Sequence, residues 1–253
     1  MKLSATDRFK ISLVIFGISI ITWLMLLVNP GHLMTMEHCH VSAAGPSAAS
    51  LKMLLQMNPF SSQLMGWGLM VVAMMLPKLM VPIQAIYLQS LRRYRLICSL
   101  LFVLGYLTVW MAAGVFMVGI IIGLNLLMPG SYLPALGVLI IAVVWQFSPV
   151  KQKFLNLSHD HYVLRAFGWA AYRDSLDFGI KHGLWCVGSG WALMLFPMLL
   201  PQGHNLAMLA VTFIMIAEHL EQPAAKVWRI RVPLKLLKYT LARTQMKWQG
   251  LKQ

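Results

Sequence analysis

The chain has 253 residues, 59% of them hydrophobic and only 11% charged, with a mean hydropathy of +0.70 and a net charge of +14. Soluble domains carry about a quarter of their residues as charges, so this composition excludes a disordered chain, a coiled-coil rod and an ordinary water-soluble enzyme. Lys and Arg number 21 against 7 Asp and Glu, and Met alone numbers 19.

Crossing a bilayer takes about 20 predominantly apolar residues. In chain order the apolar runs are 11–28, 64–88 (interrupted by Lys78), 96–128, 133–150, 182–201 and 205–220, the last carrying Glu218 near its end. None shows the strict apolar–polar alternation of a membrane β-barrel, so each reads as a helix. The expected fold is an all-α membrane protein, a six-helix transmembrane bundle with a basic amphipathic C-terminal tail. Its divisions are an N-terminal anchor helix (1–28), a periplasmic loop (29–61), a five-span membrane core (62–222) and a basic cytoplasmic tail (223–253). The first run is longer than a signal-peptide core and reads as a retained anchor.

Sorted by loop, the basic residues segregate. Nineteen fall at the two ends and in alternate connections, one (Lys52) falls on the other side, and one (Lys78) lies within a span. Basic residues accumulate on the cytoplasmic side, so both termini are expected to be cytoplasmic. This segregation accounts for the charge without nucleic acid, which would require basic clusters arranged along phosphates. In the tail, Ile230, Leu234, Leu237 and Leu241 form one stripe and Arg231, Lys235 and Lys238 another. That pattern suits a helix lying on an anionic membrane surface.

Three groups of residues could carry chemistry. In the periplasmic loop, Met34, Met36, His38, Cys39 and His40 place five soft or borderline ligands in a short stretch. Thioether and thiolate donors with imidazole select Cu(I) over hard cations. In the second span, Met70, Met74 and Met75 precede Pro77, which removes a backbone donor and should break the helix beside Lys78. In the last two spans, His182 and Cys186 are one turn apart, and Glu218 and His219 lie at comparable depth. These four could meet as a mixed-ligand metal site, or as interhelical hydrogen bonds with an ion pair from Glu218 to Lys181 or Lys78. Motifs for hydrolysis, phosphate binding and dinucleotide binding are missing from the sequence.

The segments Trp67-Gly68-Leu69-Met70-Val71-Val72-Ala73-Met74-Met75-Leu76-Pro77 and His182-Gly183-Leu184-Trp185-Cys186-Val187-Gly188-Ser189-Gly190-Trp191-Ala192-Leu193-Met194 carry a resemblance. Between residues 63 and 221 the sequence resembles the predicted metal-binding integral membrane proteins (domain of unknown function 2182), sometimes labelled copper chaperones. The order of motifs agrees, with Ser148-Pro149-Val150-Lys151 between the two helices. The resemblance implies roles for Met74, Met75, Pro77, His182, Cys186 and Glu218. The sequence departs from the family where cysteines are usual: Phe154 and Ser158 follow the Pro-x-Lys, and Ser189 and Gly190 stand in place of a Cys-Cys pair. The departures weaken metal binding at the cytoplasmic cluster.

The resulting expectation is a multi-pass protein of the bacterial inner membrane without enzymatic activity. It would handle or chaperone Cu(I) for a membrane or periplasmic cuproprotein client. The alternative is a non-catalytic accessory or structural subunit of a larger membrane enzyme complex. The expected partners are the lipid bilayer and other membrane subunits or the client, with copper as the ligand.

Overall fold

The computed structural model describes residues 4–28, 47–57, 59–159, 162–221 and 223–228. Among these residues the chain is helical, with no strand. The elements in order are α1 (Ala5–Val28), α2 (Ala48–Met57), α3 (Phe60–Met75), a 3₁₀ turn (Leu76–Leu79), α4 (Met80–Gln89), α5 (Arg95–Leu127), α6 (Leu133–Phe147), α7 (Pro149–Leu157), α8 (Gly168–Met198) and α9 (His204–His219).

Among the described residues three stretches are long and apolar enough to cross a membrane: α1, α3 through α4, and α5. The pair α6 and α7 is a fourth if its 67° bend lies within one span. Large apolar side chains stand exposed along these helices, including Leu13, Leu24, Leu100, Phe116, Ile140 and Val144. In water such an apolar surface is a liability, and in a bilayer it is the solvent-facing side. The run 182–201 is the second half of α8, whose first half carries Arg173, Asp174, Asp177 and Lys181. The run 205–220 is the 16-residue α9.

The second apolar run breaks where proline requires it. Pro77 lies in the 3₁₀ turn between α3 and α4. Pro82 does not break α4, because it sits in the first turn, where a missing N–H removes no intrahelical bond. The segment 48–57 forms a helix within a stretch read as loop. Its Leu51, Leu54 and Leu55 share one stripe that packs into the core, and Ser47 caps its start by accepting from Ser50 N.

The most extensive contact in the fold is between α5 and α8, and small residues make it possible. A Cβ on Gly105 would come within 2.6 Å of the Leu176 carbonyl oxygen, and one on Gly179 would overlap the Phe102 backbone. Close backbone approach at small residues is how membrane helices gain packing energy without a hydrophobic driving force. α1 packs on α3 through Ile11, Ile15, Ser19, Thr22 and Leu26, and Ser19 Oγ donates to Ala73 O at 2.7 Å.

A strap over residues 162–167 is tied to α4 and packs on α8, Tyr162 stacking on Phe178. Gln89 donates to Tyr162 O at 3.1 Å and accepts from Leu164 N at 2.8 Å. Arg165 meets Asp174 through two parallel bonds of 2.8 and 2.7 Å. The hydrogen bond from Arg165 holds the Asp174 carboxyl down at about 2. Asp177 is likewise lowered, first by Lys181 at 2.6 Å and then by the Tyr162 hydroxyl at 2.7 Å.

Candidate functional site

Several buried polar groups, Lys78, His182 and Glu218 among them, come from the 3₁₀ turn, α8 and α9. Cys186, one turn beyond His182 on α8, is 4% exposed. Two donors converge on its sulfur: the Tyr106 hydroxyl at 3.1 Å and Lys78 Nζ at 3.4 Å. Tyr106 comes from the middle of α5 and Lys78 from the 3₁₀ turn. The helix break at Pro77 therefore carries a buried cation to the α8 thiol. A charge at membrane depth needs such a partner.

His182 is enclosed by aromatic rings. Phe102, Tyr106, Phe178 and Trp185 lie with centroids 5.8 to 6.3 Å away. Its Nδ1 is buried without a hydrogen-bond partner. Ser90 Oγ, Ser99 Oγ and Trp110 Nε1 are buried without a partner as well, and each such group calls for an explanation, a bound water or ion among them. The His219 ring stands nearly perpendicular to His182 at 6.4 Å, and His159 stacks on the other side of His219 at 5.3 Å. His159 Nδ1 and Nε2 face Leu155 O and His219 O.

Glu218 does not join these groups, nor does it pair with Lys181 or Lys78. Both its oxygens meet Lys151 Nζ at 2.9 Å, with the two side chains 9% and 1% exposed. Lys151 Nζ also donates to Gln146 Oε1. Lys181 pairs instead with Asp177. The pairing of Lys151 follows from the bend. Ser148 adopts an extended conformation and accepts from Lys151 N at 3.1 Å, and Pro149 starts α7. The turn swings Lys151 into the bundle, so a residue that chain order assigns to a loop lies in the core.

The four residues His182, Cys186, Glu218 and His219 thus separate. The two imidazoles meet edge to face, Cys186 is bound by Lys78 and Tyr106, and Glu218 is bound by Lys151. Among the described residues, no three His, Cys, Asp or Glu side chains converge on one point. Met70, Met74 and Met75 are fully buried in the cluster that also contains Cys186. The loop ligands Met34, Met36, His38, Cys39 and His40 and the tail residues Arg231, Lys235 and Lys238 lie outside the described residues.

Sequence reasoning missed Tyr106, Lys151 and Gln146. Tyr106 sits in a charge-free apolar run where nothing marks it out. Lys151 had a signal in its Ser-Pro-x-Lys context, a capped helix start that bends the chain. Two of the positions at which the resemblance implies cysteines, Phe154 and Ser189, lie on the facing helices α7 and α8. Phe154 of α7 lies against α8 so closely that a Cβ on Gly188 would come within 2.7 Å of its ring. Ser189 Oγ, next in the chain, turns back to Cys186 O at 3.0 Å.

Residues 64–238 match the family described as a copper chaperone, PpoB2. The chain belongs to this family. The match spans the broken span, the bend at Ser148, α8 and α9, and runs on into the tail. No curated protein and no solved structure matches the chain.

Proposed function

We propose that this protein is a membrane-embedded Cu(I) chaperone of the bacterial inner membrane. It would hold copper as cargo and hand it to a membrane or periplasmic cuproprotein, with no chemistry of its own. The reading is supported by membership of a copper chaperone family together with one observation. A buried thiol, Cys186, stands one turn from the buried and unpartnered Nδ1 of His182. Sulfur with imidazole in an apolar, aromatic-lined setting suits a soft monovalent ion. The small number of convergent ligands suits cargo, which has to leave again. His219 is placed to offer a further imidazole, and the buried methionines Met70, Met74 and Met75 belong to the same core. The loop run from Met34 to His40 would be the capture or transfer site on the periplasmic side, with Cys39 as its thiolate. The six-span topology with both termini cytoplasmic, and the lipid-facing tail with Arg231, Lys235 and Lys238, belong to this reading.

The experiment is metal analysis of the purified protein in detergent under reducing, copper-replete conditions. Wild type should retain Cu(I). The pair Cys186→Ser with His182→Ala should lose the core equivalent, and His38→Ala with Cys39→Ser and His40→Ala should lose the loop equivalent. A wild type that retains no copper overturns the proposal.

A second reading is favoured by Phe154. Its ring stands at a position where the resemblance implies a cysteine and lies against Gly188, and an apolar ring there suits a scaffold that has given up part of its metal chemistry. In that reading the chain is an accessory subunit of a larger membrane complex. Recovery of stoichiometric partners with a copper-free protein would favour it.

A further inference from the structure

We infer that the strap over residues 162–167, together with the loop between α4 and α5 and the first turn of α8, is a docking surface for the anionic phospholipids of the adjoining leaflet. This surface requires only that the chain is embedded in a membrane, and it is independent of copper binding in the core.

Depth follows from the helix lengths. α5 has 33 residues, about 50 Å of helix at 1.5 Å per residue. The hydrocarbon core is about 30 Å thick, and the bilayer with its headgroups about 40–45 Å. α4 ends at Gln89 and α5 begins at Arg95, so two spans run out at one short loop, and that loop stands at headgroup level. The strap is held at the same level. Leu91 N donates to Ala166 O at 3.3 Å, and Gln89 binds the strap at both Tyr162 and Leu164. Tyr94 packs on Tyr172 with ring centroids 5.5 Å apart, which brings the start of α8 alongside.

The side chains that this surface turns outward suit that depth. Val163 and Trp169 are 86% and 80% exposed, the highest values among the large apolar side chains described. Phe167 and Leu91 are exposed beside them. These residues lie in and around irregular chain, among charges, and do not continue the apolar face of a span. Trp combines an apolar body with a polar N–H and collects where acyl chains meet headgroups.

Charge selects the lipid. Arg92 and Arg93 follow Leu91 in the chain and Arg165 precedes Ala166, so the Leu91–Ala166 bond gathers three arginines at one place. Arg173 lies one turn beyond Trp169 on the same face of α8. The carboxylates of this region are committed: Asp174 to Arg165, and Asp177 to Lys181 and the Tyr162 hydroxyl. Arg95 lies over the Tyr87 ring and donates to Ser90 O. Arg92, Arg93 and Arg173 are exposed and outside the ion pairs that the described residues form. Their positive charge is left for an external anion, and a guanidinium matches the oxygens of a phosphate. A zwitterionic headgroup brings its own cation to such a patch, whereas an anionic one does not. The Arg165–Asp174 pair and the bonds to Gln89 already order the strap, so lipid binding meets a preformed surface.

The test titrates the full-length protein in detergent with dibrominated phosphatidylglycerol or dibrominated phosphatidylcholine. Quenching of Trp169 is read as the difference between wild type and Trp169→Phe. Phosphatidylglycerol should quench Trp169 at a concentration about tenfold or more below the one phosphatidylcholine needs. Arg92→Gln with Arg93→Gln should raise the half-saturating phosphatidylglycerol about 25-fold, at about fivefold for each basic residue removed. Lys10→Gln removes a charge from α1 and none from the patch, and should leave the titration unchanged. Quenching of the remaining tryptophans by either lipid reports embedding itself and should persist in every variant. Equal quenching of Trp169 by the two lipids, or a double variant that titrates like wild type, overturns the inference. A Trp169 that neither lipid reaches also overturns it, the result expected if the tail or a second copy covers the patch. A wild type in which no tryptophan is quenched by either lipid overturns the membrane embedding as well.

Discussion

Two sets of ion pairs flank α8, and they do opposite work. On the strap side, Arg165–Asp174 and Lys181–Asp177 lie at the surface, with the Arg165 side chain 65% exposed. On the core side, Lys151–Glu218 is almost wholly buried, and Lys78 ends on a thiol instead of a carboxylate. Exposed pairs contribute little and mainly fix the geometry of a loop. Buried charges cost several kcal/mol each in lost hydration and survive only with complete partnering. The core side is thus the part of the molecule where stability depends on partners, and it is also where the histidines and the thiol collect.

The comparison breaks if the buried pair behaves like the exposed ones. Lys151→Ala leaves Glu218 uncompensated, and the expected loss is about 3–5 kcal/mol in thermal or denaturant unfolding in detergent. Replacing both members by apolar residues, Lys151→Met with Glu218→Leu, should recover most of that stability or exceed it. Packing on the α5 face supplies the next effect. Gly105→Val drives a side chain toward the Leu176 carbonyl and should cost about 1–3 kcal/mol. Ser19→Ala removes the bond to Ala73 O and should cost about 0.6 kcal/mol, the average for hydrogen bonds between membrane helices.

The smallest effect is the most diagnostic for the strap. Asp174 has its folded-state value lowered from 3.8 to about 2. Its stabilisation is therefore present above pH 4 and is lost as the pH falls through that window. Limited proteolysis of residues 162–167 should be flat from neutrality to about pH 5 and rise below pH 4. Asp174→Asn should cleave at the acid-state rate throughout. Acid sensitivity of the core at the same pH, with the strap unchanged, would reverse the assignment.

The apolar runs were legible because length and lack of charge are local properties. So was the break at Pro77, which follows from one missing N–H, and the His182–Cys186 face, which follows from helix periodicity. The helix at Ala48–Met57 was not, because its Ala and Ser residues read as linker while its stripe of Leu51, Leu54 and Leu55 was short. The partner of Glu218 was hidden for a different reason. Lys151 sits in a basic segment that loop counting assigns to the aqueous side, and only the turn at Ser148 and Pro149 brings it inward. The same limit applies to Tyr106, whose hydroxyl matters only because α5 and α8 approach closely at their glycines.

The bend at Ser148 also orders events during synthesis. Lys151 emerges from the ribosome 67 residues ahead of the carboxylate that neutralises it. Until α9 exists, the energetically acceptable place for that ammonium is the membrane surface, so α7 is expected to complete its fold after α9 has been made. Nascent chains stalled before residue 204 should leave 149–157 open to protease, and chains extended past 219 should protect it. In that order of events the buried charge closes over its partner only once α9 is present, and α9 acts as the checkpoint for the bend that precedes it.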